Sequence, residues 1–236
     1  MAFEKRGVFK YIDLRGFFPL NVAAFFLVNR NGRHSTEEIR EFLEIMGCPA
    51  DVVHKPKQVH SSEIIGNCGE RECDGVHTGR IGEAITIAVA DCVPILISAD
   101  GGKTLVALHS GWKGTIGRIA EKACRMFDPS SFDRVWIGLS IRKCCYEVPA
   151  NRIEAFTKEF PGSAGIDEEK RRLDLPVINA EMIESMGVPK EKITMDGTCS
   201  CCSPDGFASY RRDGEKAGRM VLVAVRIRGS AEELKT

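Results

Sequence analysis

Residues 106–115, Val-Ala-Leu-His-Ser-Gly-Trp-Lys-Gly-Thr, carry the pattern around which the rest of the chain is arranged. An apolar run that reads as a buried strand ends in His109. A Gly-x-x-Gly turn follows, Gly111 to Gly114, and then Ile116, Ile119, Ala120, Ala123 and Phe127 recur at helical spacing. Strand, glycine turn and helix in succession is where an α/β protein presents reactive side chains and backbone N–H groups. A histidine at the tip of such a strand is held rigidly and still reaches solvent.

Working outward, more strands flank this one. Ala84 to Ala90 is an apolar β run that leads through Asp91-Cys92-Val93-Pro94 into a second run, Ile95 to Ile97, and Lys103 to His109 is the next strand. Lys57-Gln58-Val59-His60 reads as a polar-tipped strand end, and Cys73 to Thr78 as a loop. Near the start, Phe9 to Val28 reads as two short strands around Pro19. Ser35-Thr36-Glu37-Glu38 is a capping box. The helix it opens shows Ile39, Phe42, Leu43 and Met46 on one face, and Gly47 ends it. Downstream, the helix after Thr115 runs to Asp128-Pro129, and Arg134 to Leu139 is a strand. Helices follow over Asn151 to Phe160 and Pro176 to Met186, with Gly162 to Arg172 between them as a loop or lid edge. Gly218 to Ile227 closes the pattern as a strand. There is no internal repeat. Several strands follow one another without a helix between them, so the pattern predicts an α+β fold, a mixed β-sheet core with flanking helices.

Length and composition fit that reading. With 236 residues and 43% hydrophobic content, the chain supports one sizeable core, and a single domain over 1–236 is expected. Lys+Arg and Asp+Glu both number 33, so no net field points to nucleic acid or an anionic membrane. A small molecule in a local pocket is the expected partner, with the chain a monomer or homodimer. Gly16 to Val28 is the one stretch resembling a signal core. It is too short to span a bilayer, is broken by Pro19 and Asn21, and runs into Asn29-Arg30-Asn31-Gly32 rather than a cleavage site, so buried strands are expected. The 10 cysteines form no even ladder. They cluster as Cys68 and Cys73, Cys144 and Cys145, and Cys199, Cys201 and Cys202. Reduced thiols in a cytoplasmic protein are expected, packed free rather than forming a second metal site.

Three residues at strand ends or turns have metal-ligand chemistry: His60, Cys92 and His109. Two imidazoles and one thiolate make a three-ligand zinc site with a fourth position open to water or substrate, the catalytic arrangement. Zinc there lowers the pKa of a bound water or polarises a substrate oxygen. Asp91 and Gln58 stand where either could orient a ligand. The same three residues also fit a metal-free site in which Cys92 is the nucleophile and a histidine its base. A metallated thiolate is not free to attack, so the two readings exclude each other. Taken singly, each residue also reads as an ordinary solvated histidine or a packed cysteine. The basic residues Lys57, Lys113, Arg142, Lys143, Arg211 and Arg212 are candidates for an anion site, Lys113 above all because it follows the glycine turn.

Taken together, Lys57-Gln58-Val59-His60, Ala90-Asp91-Cys92-Val93-Pro94 and His109-Ser110-Gly111-Trp112-Lys113-Gly114 resemble the YfiH family, also called laccase-domain or multicopper polyphenol oxidase proteins. Asp74-Gly75-Val76-His77-Thr78, Gly138-Leu139-Ser140-Ile141 with Cys145-Tyr146-Glu147-Val148, and Phe207 to Arg212 followed by Gly218-Arg219 extend the likeness over nearly the whole chain. The resemblance implies that His60, Cys92 and His109 are zinc ligands. It implies phosphorolysis of adenosine, inosine, guanosine and methylthioadenosine, with deamination of adenosine. It also implies a mixed-sheet fold shared with cysteine-dependent toxin deamidases. On this reading Lys57, Lys113 and Arg211 hold phosphate, and Gln58 and Asp91 contact substrate. Departures are visible: Arg30-Asn31-Gly32-Arg33-His34-Ser35 replaces an Arg-x-Gly-Gly-x-Ser element and the loop after it is short. Ser110, Lys113 and Leu139 stand where alanine, arginine and proline are usual. A Lys113 ammonium keeps the charge but loses the bidentate fork.

Two other activities stay open on the sequence. A metal-free Cys92–His hydrolase or amidase uses the same residues. A copper-dependent polyphenol oxidase fits the older family name, and a His₂Cys set could hold one copper. Five histidines, His34, His54, His60, His77 and His109, are few for a multicopper cluster. A non-enzymatic binding domain is the remaining alternative.

Overall fold

The computed structural model describes residues 3–28 and 34–228. The strands in chain order are β1 (Glu4–Arg6), β2 (Phe9–Asp13), β3 (Val22–Leu27), β4 (Val52–His54), β5 (Ile64–Gly66), β6 (Gly75–Thr78), β7 (Glu83–Val89), β8 (Val93–Ala99), β9 (Thr104–Ser110), β10 (Phe132–Ile137), β11 (Ile166–Asp167), β12 (Arg172–Leu173), β13 (Ile193–Met195) and β14 (Met220–Arg226). The helices are α1 (Thr36–Ile45), α2 (Trp112–Ile116), α3 (Ile119–Met126), α4 (Ala150–Glu159), α5 (Leu175–Ser185) and α6 (Tyr210–Asp213).

Two six-stranded sheets form the centre, in the orders β1-β2-β3-β14-β7-β4 and β13-β10-β8-β9-β6-β5. Most neighbours are antiparallel. The pairs β4–β7, β5–β6 and β10–β13 are parallel, so both sheets are mixed. The sheets face each other across a core that includes Phe26, Ile87 and Leu222 from the first and Leu96, Leu105 and Trp136 from the second. The outer face of the first sheet carries α1, and that of the second carries α3, α4 and α5. Helix, sheet, sheet, helix is the layering.

This layering explains why the strands read as unbroken apolar runs. In β14, Met220, Leu222 and Ala224 point to the inter-sheet core while Val221, Val223 and Val225 point to the α1 layer. In β9, Leu105 and Ala107 point inward while Val106 and Leu108 meet the helices. A strand buried on both faces loses the apolar–polar alternation. Among the described residues no helix is long and apolar enough to cross a membrane.

The Ser35 capping box forms as expected, with Ser35 Oγ accepting from the Glu38 N–H at 3.1 Å and the Glu38 carboxylate accepting from the Ser35 N–H at 2.6 Å. Four expectations are corrected. Gly75–Thr78 is strand β6, not a loop, because it inserts between β5 and β9. Lys57–His60 is not a strand end; the segment is irregular, held by side-chain bonds described below. The helix after Thr115 is broken into α2 and α3, because Arg118 turns left-handed at φ +56°. The stretch 162–172 contains the short β11–β12 ribbon. The altered element at Arg30–Arg33 lies outside the described residues.

Candidate metal centre and its cavity

His60, Cys92 and His109 meet at one end of the second sheet. Cys92 sits immediately before β8, His109 near the end of the adjacent β9, and His60 on the loop after β4. Their ligand atoms all lie within 4.8 Å of one another. The two imidazoles meet edge to face with centroids 4.8 Å apart, and His60 Nε2 is 4.0 Å from Cys92 Sγ. The chain bends sharply to bring them there: His60 (φ +61°) and Asp91 (φ +84°) are non-glycine residues in the left-handed region. Each such residue stores about 1–3 kcal/mol of strain, a cost that tends to gather at functional sites. Gly111 is required at the turn, because a Cβ there would stand 2.8 Å from Cys92 Sγ.

Asp74 organises the group. Its carboxylate, fully buried, accepts from His109 Nδ1 at 2.7 Å. It also accepts the N–H groups of Val59, His60 and Ser61 and the Ser61 hydroxyl, at 2.6–3.2 Å. One carboxylate thus fixes the His109 ring and the whole loop bearing His60. Burial works against its charge, but His109 and Ser61 hold its carboxyl down at about 2. With Nδ1–H committed to Asp74, Nε2 of His109 is the atom left for a ligand.

Burial likewise opposes ionisation of Cys92, and the His109 imidazolium outweighs it, bringing the thiol down to about 6. Burial lowers His109, while the Cys92 thiolate and Asp74 carry it up to about 9. Both shifts favour a thiolate on Cys92 beside an imidazolium on His109.

The other expected site residues are distributed differently. Gln58 and Asp91 line the cavity but orient neither imidazole. The Gln58 amide pairs with both backbone groups of Ala88 at 2.8 Å. Asp91 accepts from Ser200 Oγ at 2.5 Å and from the Arg211 N–H at 2.6 Å. Arg211 lines the cavity, with its guanidinium on the carbonyls of Cys145 and Glu147. Lys57 is turned away and bonds the Glu72 carboxylate at 2.7 Å on the exposed surface. Lys113 is exposed and is not part of the cavity lining. His77 belongs to β6 and packs on Phe127, outside the donor group.

The triad opens into a cavity of about 690 Å³. Trp112, Tyr146 and Tyr210 give it aromatic faces, and Arg152, Arg211 and Arg219 give it cations. Arg152 stacks over the Trp112 ring at 4.1 Å. Arg152 is a residue that motif reading passed over, and Asp74 one that it named without a role. Arg152 lies in the first turn of α4 with no local signature, whereas Asp74, beside a cysteine in a polar stretch, was visible in the sequence but not in its role.

Cys144, Cys145, Cys199 and Cys202 also come together, against the expectation of unrelated packed thiols. Cys199 and Cys202 stand at C-x-x-C spacing, which the intervening Cys201 disguises.

A four-layer α+β protein with a three-ligand donor set at the tips of one sheet is the class these features define. A family model described as multi-copper polyphenol oxidoreductase laccase matches residues 25–227, and the chain belongs to that family. Among solved structures, YlmD from Geobacillus stearothermophilus shares the fold with a TM-score of 0.82 at 23% identity, covering 96% of this chain and 99% of that one. Among curated relatives, purine nucleoside phosphorylase YlmD of Bacillus subtilis is 32% identical over 160 residues, 63% of this chain and 56% of its own length. Human purine nucleoside phosphorylase LACC1 is 27% identical over 201 residues, 78% of this chain and 46% of its own length. Adenosine deaminase RL5, from an unknown prokaryotic organism, is 31% identical over 198 residues, 74% of this chain and 75% of its own length. The chain therefore spans about half the length of the first two.

Proposed function

We propose that this protein is a zinc-dependent purine nucleoside phosphorylase acting on adenosine, inosine, guanosine and methylthioadenosine, with adenosine deamination as a second activity. The observation that carries the reading is the cavity itself, which joins the His60–Cys92–His109 donors, aromatic faces and arginines in one space. Aromatic faces suit a planar base, and guanidinium groups suit phosphate.

Two imidazoles and a thiolate within 4.8 Å, with one side open to the cavity, fit zinc. Zinc held there supplies a Lewis acid and a water ionised near neutral pH. The donor chemistry alone also admits a single copper. A multicopper cluster has no further imidazoles to draw on, since His54 bonds Glu83 at 3.1 Å, His77 packs on Phe127 and His34 stands against Phe9.

In this reading Arg152 and Arg211 hold phosphate, which replaces Lys57 and Lys113 in that role. Trp112, Tyr146 and Tyr210 grip the purine. A phosphate oxygen bonds C1′ of the ribose as the C1′–N9 bond breaks, and the bonding pair leaves with the purine, which takes up a proton. Asp74 keeps the His109 proton on Nδ1 throughout. We take the chain to act as one unit in the cytoplasm, a reading its ten free cysteines support.

A second reading rests on the lowered Cys92 and raised His109, the polarity a thiol hydrolase or amidase needs. Chromatography of adenosine incubated with zinc-loaded protein, with and without phosphate, separates the two. Phosphorolysis gives adenine only with phosphate, and deamination gives inosine without it. Unchanged adenosine from protein that holds its zinc refutes the proposal and leaves the thiol reading.

A further inference from the structure

A second group of soft ligands lies behind the cavity wall, apart from the triad. Cys144 and Cys145 follow β10 in the segment leading to α4, and Cys199 and Cys202 lie on the loop between β13 and α6. Their four sulfurs all fall within 4.8 Å of one another, and the Cys144 and Cys202 sulfurs are 3.6 Å apart. A disulfide requires about 2.05 Å. A single tetrahedral ion with metal–sulfur bonds of about 2.3 Å sets its sulfurs about 3.8 Å apart. The Cys144–Cys202 distance matches that spacing, and the 4.8 Å limit on the group leaves room for one ion at its centre.

The backbone is already shaped for such a cage. Ser140 and Cys199 form a parallel bridge, and the Ser200 N–H donates to the Ser140 carbonyl at 3.0 Å. The Cys145 N–H closes a turn on the Arg142 carbonyl at 2.9 Å, and the Ser203 N–H closes another on Cys199 at 3.2 Å. Arg142 and Arg212 brace the surrounding loop through the carbonyls of Asp196 and Cys201, while their charges are met by Asp174 and Asp213.

We propose that Cys144, Cys145, Cys199 and Cys202 bind one divalent zinc-like cation in a closed, four-thiolate structural site. The ion staples the 140–149 segment to the 196–203 loop. These two segments supply one wall of the cavity. Ile141 and Tyr146 line it, Ser200 holds Asp91, and the Cys145 and Glu147 carbonyls hold the Arg211 guanidinium. This site does not depend on the nature of the first one.

The test is metal content per chain by elemental mass spectrometry, for protein purified without chelator, in the wild type, Cys92→Ser and the Cys144→Ser/Cys202→Ser pair. The wild type should hold two ions, and Cys92→Ser should keep one. Cobalt loaded into Cys92→Ser should show the intense thiolate charge-transfer and visible bands of a tetrahedral four-sulfur site. Peptide mapping should find these four cysteines resistant to alkylation until a strong chelator is added. Cys144→Ser/Cys202→Ser should lose the ion, and if that variant fails to fold the Cys92→Ser measurements decide alone. A Cys92→Ser protein that is folded and metal-free, with the four thiols alkylated at once or joined as disulfides, overturns the proposal. That result leaves the cavity reading standing, whereas a wild-type protein whose sole ion survives Cys92→Ser refutes the cavity reading and supports this one.

Discussion

Asp74→Asn tests how the cavity site is held. The side chain keeps its size and one acceptor but loses its charge, and its amide group now faces N–H donors of the 59–61 loop. Holding the carboxyl at about 2 rather than 3.8 corresponds to about 2 kcal/mol of preference for the ionised form. Because the folded value is depressed, that stability is present above pH 3.8 and is lost as pH falls towards 2. In the variant it is absent at all pH values, so unfolding at pH 7 should cost about 2 kcal/mol less. Loss of the partner that orients a metal-bound histidine typically weakens metal binding about 10–100-fold, or about 1.4–2.7 kcal/mol, the same size from an independent route. The assays are chelator-competition titration with zinc and denaturant unfolding of the metal-free protein. Ser61→Ala, which removes one hydroxyl donor but leaves the His109 bond, should lose about 1 kcal/mol of stability and keep its zinc affinity. A folded Asp74→Asn protein with wild-type zinc affinity refutes the claim that this carboxylate orients His109.

Further outcomes follow from the same geometry. Gly111→Ala places a methyl 2.8 Å from Cys92 Sγ, so zinc affinity should fall at least about tenfold while the far-ultraviolet circular dichroism stays unchanged; normal affinity contradicts the tight turn. In metal-free protein, alkylation of Cys92, followed by peptide mass, should reach half its maximal rate near pH 6, because below that value the thiolate is protonated. His109→Ala should move the midpoint upward, and an unmoved midpoint removes the ion pair. Zinc uptake at pH 7.5 should release about one proton, since His109, held up to about 9, must shed one to ligate while Cys92 is already ionised. Phe42→Ala removes a ring packed against Phe9, Tyr11 and Phe25 and should cost about 3–5 kcal/mol in denaturant unfolding.

Two of the triad were legible in the sequence because Cys92 and His109 lie at the ends of apolar strands, and His60 because only a few residue types bind soft cations. The Ser35 cap was legible because a capping box is a local device. What the sequence withheld was long-range. Asp74 reaches its role only when β6 pairs with β9, and the brief Gly-Val-His-Thr run gave no strand signal of its own. Lys57 and Lys113 were plausible phosphate ligands by charge and position along the chain, but an exposed partner claims one and the outer side of a short helix the other. Arg152 takes a place in the cavity through the packing of α4, which no motif announces. The two-sheet layering was hidden for a related reason: strands covered on both faces look alike whichever sheet they join.

The position of β14 bears on how the chain is made. It is the last strand among the described residues, yet it lies between β3 and β7 in the middle of its sheet. At about 5–20 residues per second, a ribosome that has finished β3 needs about 10–40 s more to deliver its partner. Once β7 is also made, two long apolar strands await β14 with unpaired edges, the kind of surface that recruits other chains. A stop codon shortly before β14 should therefore yield aggregate rather than a smaller folded protein.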